Sequence, residues 1–172
     1  MKTTLFFSSS IDGFIANKDG IPMFPPPAWE DWCALVNEVG NCIAGRTSVE
    51  QLKDDEMAAI LNPEHKIVLS SQDIDFTDAG WKLAQSPKEA LAMLEEAGVE
   101  EAIVGGGRAI YHAFLREGLV DELVMDLQPI AFGTGIPVFG GELDMTLLKL
   151  IDSCPLNENA IRLRYQLLAA QN

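Results

Sequence analysis

A chain of 172 residues with 48% apolar side chains is able to bury a full core, which argues against a disordered segment. Its formal net charge of −14 argues against a nucleic-acid surface, since phosphate backbones are held by basic stripes. A few basic residues would still suffice to hold one small anion.

The chain opens with "TTLFFSS" (3–9), a short apolar run suited to a buried strand. The three-residue apolar run before the serines is too short for a signal-peptide core or a membrane span, so a soluble cytoplasmic protein is expected. "IPMFPPPAW" (21–29) reads as a rigid loop leading into a helix. In "WEDWCALVNEV" (29–39), Trp29, Trp32, Leu35 and Val36 share one helical face, with Val39 close by. "NCIAG" (41–45) is a second buried run, and Thr47 with Glu50 has the spacing of a capping box that opens a helix.

"KIVLSS" (66–71) predicts a strand, and "SPKEALAMLEEAG" (86–98) a helix capped by Ser86, with Pro87 in its first turn, Glu89 completing the box and Gly98 at its end. "EAIVG" (101–105) predicts a strand, and residues 108–117 a helix stopped at Gly118. "ELVMDLQPI" (122–130), "LLKLIDS" (147–153) and "AIRLRYQLL" (160–168) predict strands, the last alternating as expected with one face wet. Strands and helices alternate to about residue 120 and strands dominate afterwards. That pattern predicts an α/β fold: a central, mostly parallel mixed sheet flanked by helices, with antiparallel strands added at the C-terminal end. With no linker in sight, residues 1–172 are expected to form one domain.

Gly105, Gly106 and Gly107 stand where a strand ends and a helix begins. Amides at a helix N-terminus carry partial positive charge, and glycine there lets a pyrophosphate approach the backbone. A tight turn with no ligand is the alternative, for which one or two glycines would serve. GxGxxG starting at Gly105 would need glycine at Ile110, and no P-loop pattern occurs. Arg46 and the Thr47 cap follow one strand, and Ser70 and Ser71 follow the next. Arginine and hydroxyls near a 2′-phosphate suit NADPH, where NADH would call for an acidic residue.

Other candidates are fewer. Cys33, Cys42 and Cys154 are widely spaced, and with His65 and His112 they give no metal-ligand pattern, so free thiols and no metal are expected. Hydride transfer to a C=N bond needs a proton, and Asp12, Glu30, Asp31 and Asp126 are the carboxylates considered for it. Asp12 also fits an Asp-Gly turn, Glu30 and Asp31 also fit dipole-favoured acids in a first helical turn, and Asp126 fits a wet-face residue of its strand. His112 is expected on a helix surface.

Taken in order, "SSSIDGFIA", "CIAGRTSVEQL", "KIVLSS", "AIVGGGRAIYHAFLREGLVDELVM" and "PIAFGTGIPVF" span nearly the whole chain. They resemble the dihydrofolate reductase superfamily, and within it most of all the branch of the reductase domain of the bifunctional riboflavin deaminase-reductase. The most specific matches are the GGG-helix-GLVDEL run and the glycines, proline and phenylalanine at Gly133, Gly135, Pro137 and Phe139.

The resemblance implies a dihydrofolate reductase-like fold that binds NADPH and passes a hydride to a pterin or a ribityl flavin precursor. It implies that Arg46, Thr47 and Ser48 meet the cofactor phosphates. Ser70 and Ser71 would flank the 2′-phosphate, and Gly106, Gly107, Arg108 and Ala109 would hold the pyrophosphate beside Gly105. It also implies a homodimer joined through the C-terminal strands.

Two departures stand out. Riboflavin-type reductases carry a substrate-touching glutamate where this chain has Gly105, and dihydrofolate reductases place a pterin-holding carboxylate early in the first helix, near Glu30 and Asp31, in a different local pattern. A non-catalytic NADP(H)-binding module, a true 5-amino-6-(ribosylamino)uracil phosphate reductase and a dihydrofolate reductase remain alternatives.

Overall fold

The computed structural model describes residues 1–52, 59–72, 79–140 and 145–168. In chain order the elements are β1 (Lys2–Ser10), β2 (Phe14–Asn17), α1 (Pro27–Val39), β3 (Asn41–Gly45), α2 (Arg46–Leu52), β4 (His65–Leu69) and β5 (Trp81–Ala84). They continue with α3 (Pro87–Glu96), β6 (Glu101–Gly106), α4 (Arg108–Arg116), β7 (Glu122–Gln128), β8 (Gly135–Pro137), β9 (Leu148–Pro155) and β10 (Ile161–Leu167). Eight strands make one sheet in the order β5-β4-β3-β6-β1-β7-β10-β9, and β2 pairs with β8 in a separate ribbon. All pairings from β5 to β7 are parallel, and β10 and β9 add antiparallel to the β7 edge. This is the mostly parallel mixed sheet with antiparallel C-terminal strands that the sequence predicts.

Apolar side chains cover both faces of the sheet, as a parallel sheet requires. Leu5, Phe7, Ile43 and Val104 pack against Leu94 of α3 and Phe114 of α4, while Phe6, Ala44, Ile103 and Val124 pack against Trp32 and Val36 of α1. The two tryptophans of α1 stack at 5.3 Å, and Trp32 lies nearly parallel to Phe6 at 5.9 Å. The helical face read from Trp29, Trp32, Leu35 and Val36 is thus the one that meets the sheet.

Local signals explain the ends. Ser86 Oγ accepts from the Glu89 amide at 3.2 Å, and the Glu89 carboxylate reaches back to the Gln85 amide at 2.8 Å, so the predicted box forms with its return bond one residue earlier. The other predicted box does not form in that way. α2 starts at Arg46, which places Thr47 inside the first turn, and Glu50 lies 3.9 Å from Arg46 instead. Asp121, of the "GLVDEL" run, docks β7 beside β1: its carboxylate accepts from the Thr3 amide at 2.8 Å and its own amide donates to the Thr3 carbonyl at 2.9 Å. Asn41 bridges β3 to β6, accepting from the Ile103 amide and donating to the Glu101 carbonyl. The sequence reading missed β2, β5 and β8, which have three or four residues each, too few to show a period.

Candidate functional site

The carboxyl ends of β4, β3 and β6 lie side by side, and the predicted anion-binding residues follow them directly. In an open parallel sheet this edge is where ligands bind. Arg46 stands exposed after β3, and its guanidinium donates to the Gln72 side-chain oxygen at 3.1 Å. Ser70, after β4, is 9% exposed and its hydroxyl accepts from the Gln72 amide at 3.1 Å, while Ser71 is exposed. The fold therefore brings Arg46 and the serine pair together across two neighbouring strands, with Gln72, which the sequence did not single out, between them.

The three glycines separate into two roles. A Cβ on Gly106 would lie 3.2 Å from Ser48 Oγ, and one on Gly107 3.4 Å, so Ser48 sits against the turn. Gly107 has φ of +77°, a conformation that disfavours any side chain, and it occupies the N-cap of α4 with no side-chain capping bond. Arg108 and Ala109 are exposed in the first turn. The result is a helix N-terminus open to solvent beside Ser48. Gly105 does something else: a Cβ there would fall 2.5 Å from a ring carbon of Trp32 and 3.1 Å from Cys42 Sγ. Its missing side chain makes room for Trp32.

The candidate carboxylates differ sharply in setting. Asp12 accepts from Ser10 Oγ at 2.6 Å and from the amides of Gly133 at 2.7 Å and Phe132 at 3.2 Å, so it ties the turn after β1 to the loop before β8. The Ser10 hydrogen bond, with those amides, holds its carboxyl below the usual range, which makes it a poor proton donor and supports the Asp-Gly turn reading. Glu30 is exposed and Asp31 half-buried in the first turns of α1.

Asp126 corrects the sequence reading. The expected wet-face residue has no exposed surface: it shares the face of β7 on which Val124 packs toward α1, and Arg162 of β10 pairs with it. Arg162 grips both carboxylate oxygens, at 2.6 and 2.7 Å, and lies 5.0 Å over the Phe6 ring. Burial pushes the Asp126 carboxyl up against the pull of Arg162, and the charge of Asp31 adds to the push. For Arg162, burial pulls down but the bonds to Asp126 prevail and keep it charged. Asp31 thus belongs to one electrostatic group with Asp126 and Arg162.

Three further residues depart from expectation or stay inert. His112 is half-buried rather than on the surface, and among the described residues its Nδ1 has no hydrogen-bond partner. Cys33 and Cys42 are buried free thiols pushed up to about 12 by burial, unsuited to nucleophilic work. Among the described residues no group of three or more His, Cys, Asp or Glu side chains could hold a metal, and no helix is long and apolar enough to cross a membrane.

The Asp126–Arg162 pair was readable in principle: Glu122 and Asp126 sit on one face of β7, and Arg164 and Arg162 occupy the matching face of β10. Pairing the two strands in register would have joined them.

The chain matches the RibD C-terminal domain family over residues 1–161. It is 24% identical over 169 residues to YwjB of Bacillus subtilis, covering 95% of this chain and 97% of that one. A Shewanella sp. PV-4 structure, described as a candidate riboflavin biosynthesis protein, superposes with a TM-score of 0.79 at 24% identity, covering 98% of this chain and 99% of that one. The Thermotoga maritima diaminohydroxyphosphoribosylaminopyrimidine deaminase/5-amino-6-(5-phosphoribosylamino)uracil reductase superposes at 0.71 with 14% identity, and 97% of this chain covers 56% of that one, so the chain spans just over half of that bifunctional protein. These likenesses fix the fold as dihydrofolate reductase-like, with β9 and β10 as its antiparallel C-terminal strands. The chain belongs to the RibD C-terminal domain family.

Proposed function

We propose that this protein is an NADPH-dependent reductase that passes a hydride to a small heterocyclic substrate, pterin-like or flavin-precursor-like. One observation carries the reading: the uncapped N-terminus of α4 at Gly107 opens beside Ser48, in line with Arg46 and Ser70 at neighbouring strand ends. Helix amides, an arginine and hydroxyls in one row suit a pyrophosphate and a 2′-phosphate. Membership of the RibD C-terminal domain family and the fold of the Thermotoga reductase support it.

In this reading Ser48 and the amides of Gly107, Arg108 and Ala109 hold the pyrophosphate, and Arg46 with Ser70 and Ser71 reads the 2′-phosphate. NADPH supplies the hydride when bound. The substrate lies toward β1, β7 and the first turn of α1, where the charge of Asp31 acts on the Asp126–Arg162 pair. Trp32 fills the space beside Gly105, so this position has no room for the glutamate of riboflavin-type reductases, which favours another heterocycle over the riboflavin precursor. Two copies are proposed to pair through β9, whose eight residues are all exposed at the edge of the sheet.

The test is a titration of the full chain with NADPH and NADH, followed by NADPH oxidation against a panel of pterins and aminopyrimidines. NADPH is expected to bind more tightly than NADH. Arg46→Ala should weaken NADPH about ten- to a hundredfold, the loss of about 1.5–3 kcal/mol of charged hydrogen bonding, and leave NADH nearly unchanged. Equal affinities in the unmutated protein would sink the NADPH assignment, and binding without turnover of any substrate would favour the non-catalytic module.

A further inference from the structure

Gln128 closes β7 at the carboxyl end of the sheet, 2% exposed, and among the described residues its amide nitrogen has no hydrogen-bond partner. Buried side-chain amides in native proteins are nearly always paired. Two polar neighbours on that face, Asp126 and Ser10, are already engaged. Asp126, two residues back on the strand, is held by both arms of Arg162. Ser10, its partner in β1, donates to Asp12 and accepts from the Phe14 amide.

Gln128 lines a depression of about 380 Å³, walled by Pro25 and Pro27 ahead of α1, by Pro129, and by Asn157 and Asn159 of the β9–β10 turn. That turn is fixed from within, because the Asn157 side-chain oxygen accepts from the amides of Asn159 and Ala160. Pro25, Pro27 and Pro129 give the depression its apolar walls, and the Gln128 carboxamide stands among the polar residues Asn157, Glu158 and Asn159 that line the rest of it. Mostly apolar concavities with few placed polar groups are the usual form of small-molecule sites. The last torsion of glutamine is soft, so the carboxamide can turn its NH₂ group toward the depression.

We propose that this depression takes a planar heterocycle bearing a ring carbonyl, and that the Gln128 side-chain amide donates to that carbonyl. The proposal rests on the reductase reading for its role: it places the ring to be reduced over the carboxyl ends of β1 and β7. The β7 end is two strand spacings, roughly 10 Å, from the end of β6 at Gly106. Gln128 is then a specificity residue of the same cleft.

The experiment uses the full chain, ¹⁵N-labelled and without cofactor, with uracil as the carbonyl-bearing probe and benzene as a flat ring with no acceptor. The Gln128 side-chain amide signals are identified by their loss in Gln128→Leu. Uracil is expected to shift those signals saturably, while benzene leaves them in place. Gln128→Leu should bind uracil roughly 5- to 10-fold more weakly, the loss of one neutral hydrogen bond, with benzene binding no weaker. Gln128→Met gives the same comparison if the leucine variant folds poorly, and the shift in the unmutated protein needs no variant beyond the assignment. Uracil that leaves the Gln128 amide unmoved, or that binds both variants as it binds the unmutated chain, overturns the proposal. NADPH titrated into the same samples separates the two ideas: a chain that ignores NADPH sinks the reductase reading, while the uracil result still decides the role of Gln128.

Discussion

Arg162 and Asp126 face each other across the β7–β10 pair, two hydrogen bonds of 2.6 and 2.7 Å joining a guanidinium to a carboxylate with no exposed surface. Phe6 lies under the guanidinium, so the pair is desolvated from two sides. Removing one partner leaves a buried charge uncompensated. Arg162→Met is therefore expected to cost about 3–5 kcal/mol in urea unfolding. The double variant Arg162→Met with Asp126→Leu should recover most of that loss, because a buried ion pair replaced by apolar groups of similar size is often neutral. A single variant that loses under about 1 kcal/mol would show that water reaches Asp126.

How much of this was legible follows from the range of the interactions. Period and caps are local, so α1, α3 and the long strands can be read directly. Asp126 could not be placed that way. Whether Asp126 meets water or Arg162 depends on β10 being laid against β7 some 36 residues later, and alternation alone does not say which side of a strand is covered. The glycine run shows the same limit. Its position between strand and helix pointed to Gly106 and Gly107 as an open turn, but nothing local could show that Gly105 faces Trp32 from α1. Gln128 was invisible for the same reason, since the prolines before α1 and the turn before β10 that line the depression with it come from distant parts of the chain.

Gly105 is expected to be a packing position. In Gly105→Ala the new methyl would meet Trp32 at 2.5 Å and Cys42 at 3.1 Å, so the Trp32 indole on α1 or the fully buried Cys42 thiol on β3 would have to give way. Overpacking of this kind costs about 1–3 kcal/mol. Trp32→Leu in the same background should relieve the clash, so the double variant should lose less than the two single losses added together. Thermal melting of the four proteins checks it. Additive losses would mean that the two positions do not touch.

Asp12 is expected to stay ionised to lower pH than an ordinary aspartate. Its folded-state carboxyl lies below the usual range, first because of Ser10 and then because of the Gly133 and Phe132 amides. For a lowered group, the stabilisation is fully present above the ordinary carboxylate value and is lost as the pH falls through the folded value. The bonds between the turn after β1 and the loop before β8 should therefore weaken only below the ordinary carboxylate range. The Asp12 carboxyl carbon, followed by NMR against pH, should titrate below ordinary aspartates, and amide exchange at Gly133 should rise in step with it. A midpoint at or above the ordinary range would return Asp12 to the list of proton donors.

The free edge of the sheet gives the last expectation. β9 is the outermost strand, and Leu148, Leu150 and Ile151 are 41%, 52% and 48% exposed along it. Leu148 and Leu150 lie opposite Leu167 and Tyr165 in β10, so they extend one apolar face outward instead of standing as isolated surface residues. Leu147 and Leu168 are also exposed at that end and are joined by a backbone bond of 2.9 Å. An exposed apolar edge strand invites pairing with another chain, and soluble proteins usually blunt such edges with charge or proline. Here the blunting is thin, since β9 carries only Lys149 and Asp152 as charges and Pro155 at its very end. A second copy laid on this face would remove the apolar surface from water over roughly 1,200–2,000 Å² if the interface is of standard size. Light scattering at micromolar concentration should then give twice the 18.8 kDa chain mass. Leu150→Glu, which puts a charge into the middle of the patch without touching the cleft, should give the single-chain mass with an unchanged melting profile at high dilution. A single-chain mass for the unmutated protein would refute the dimer.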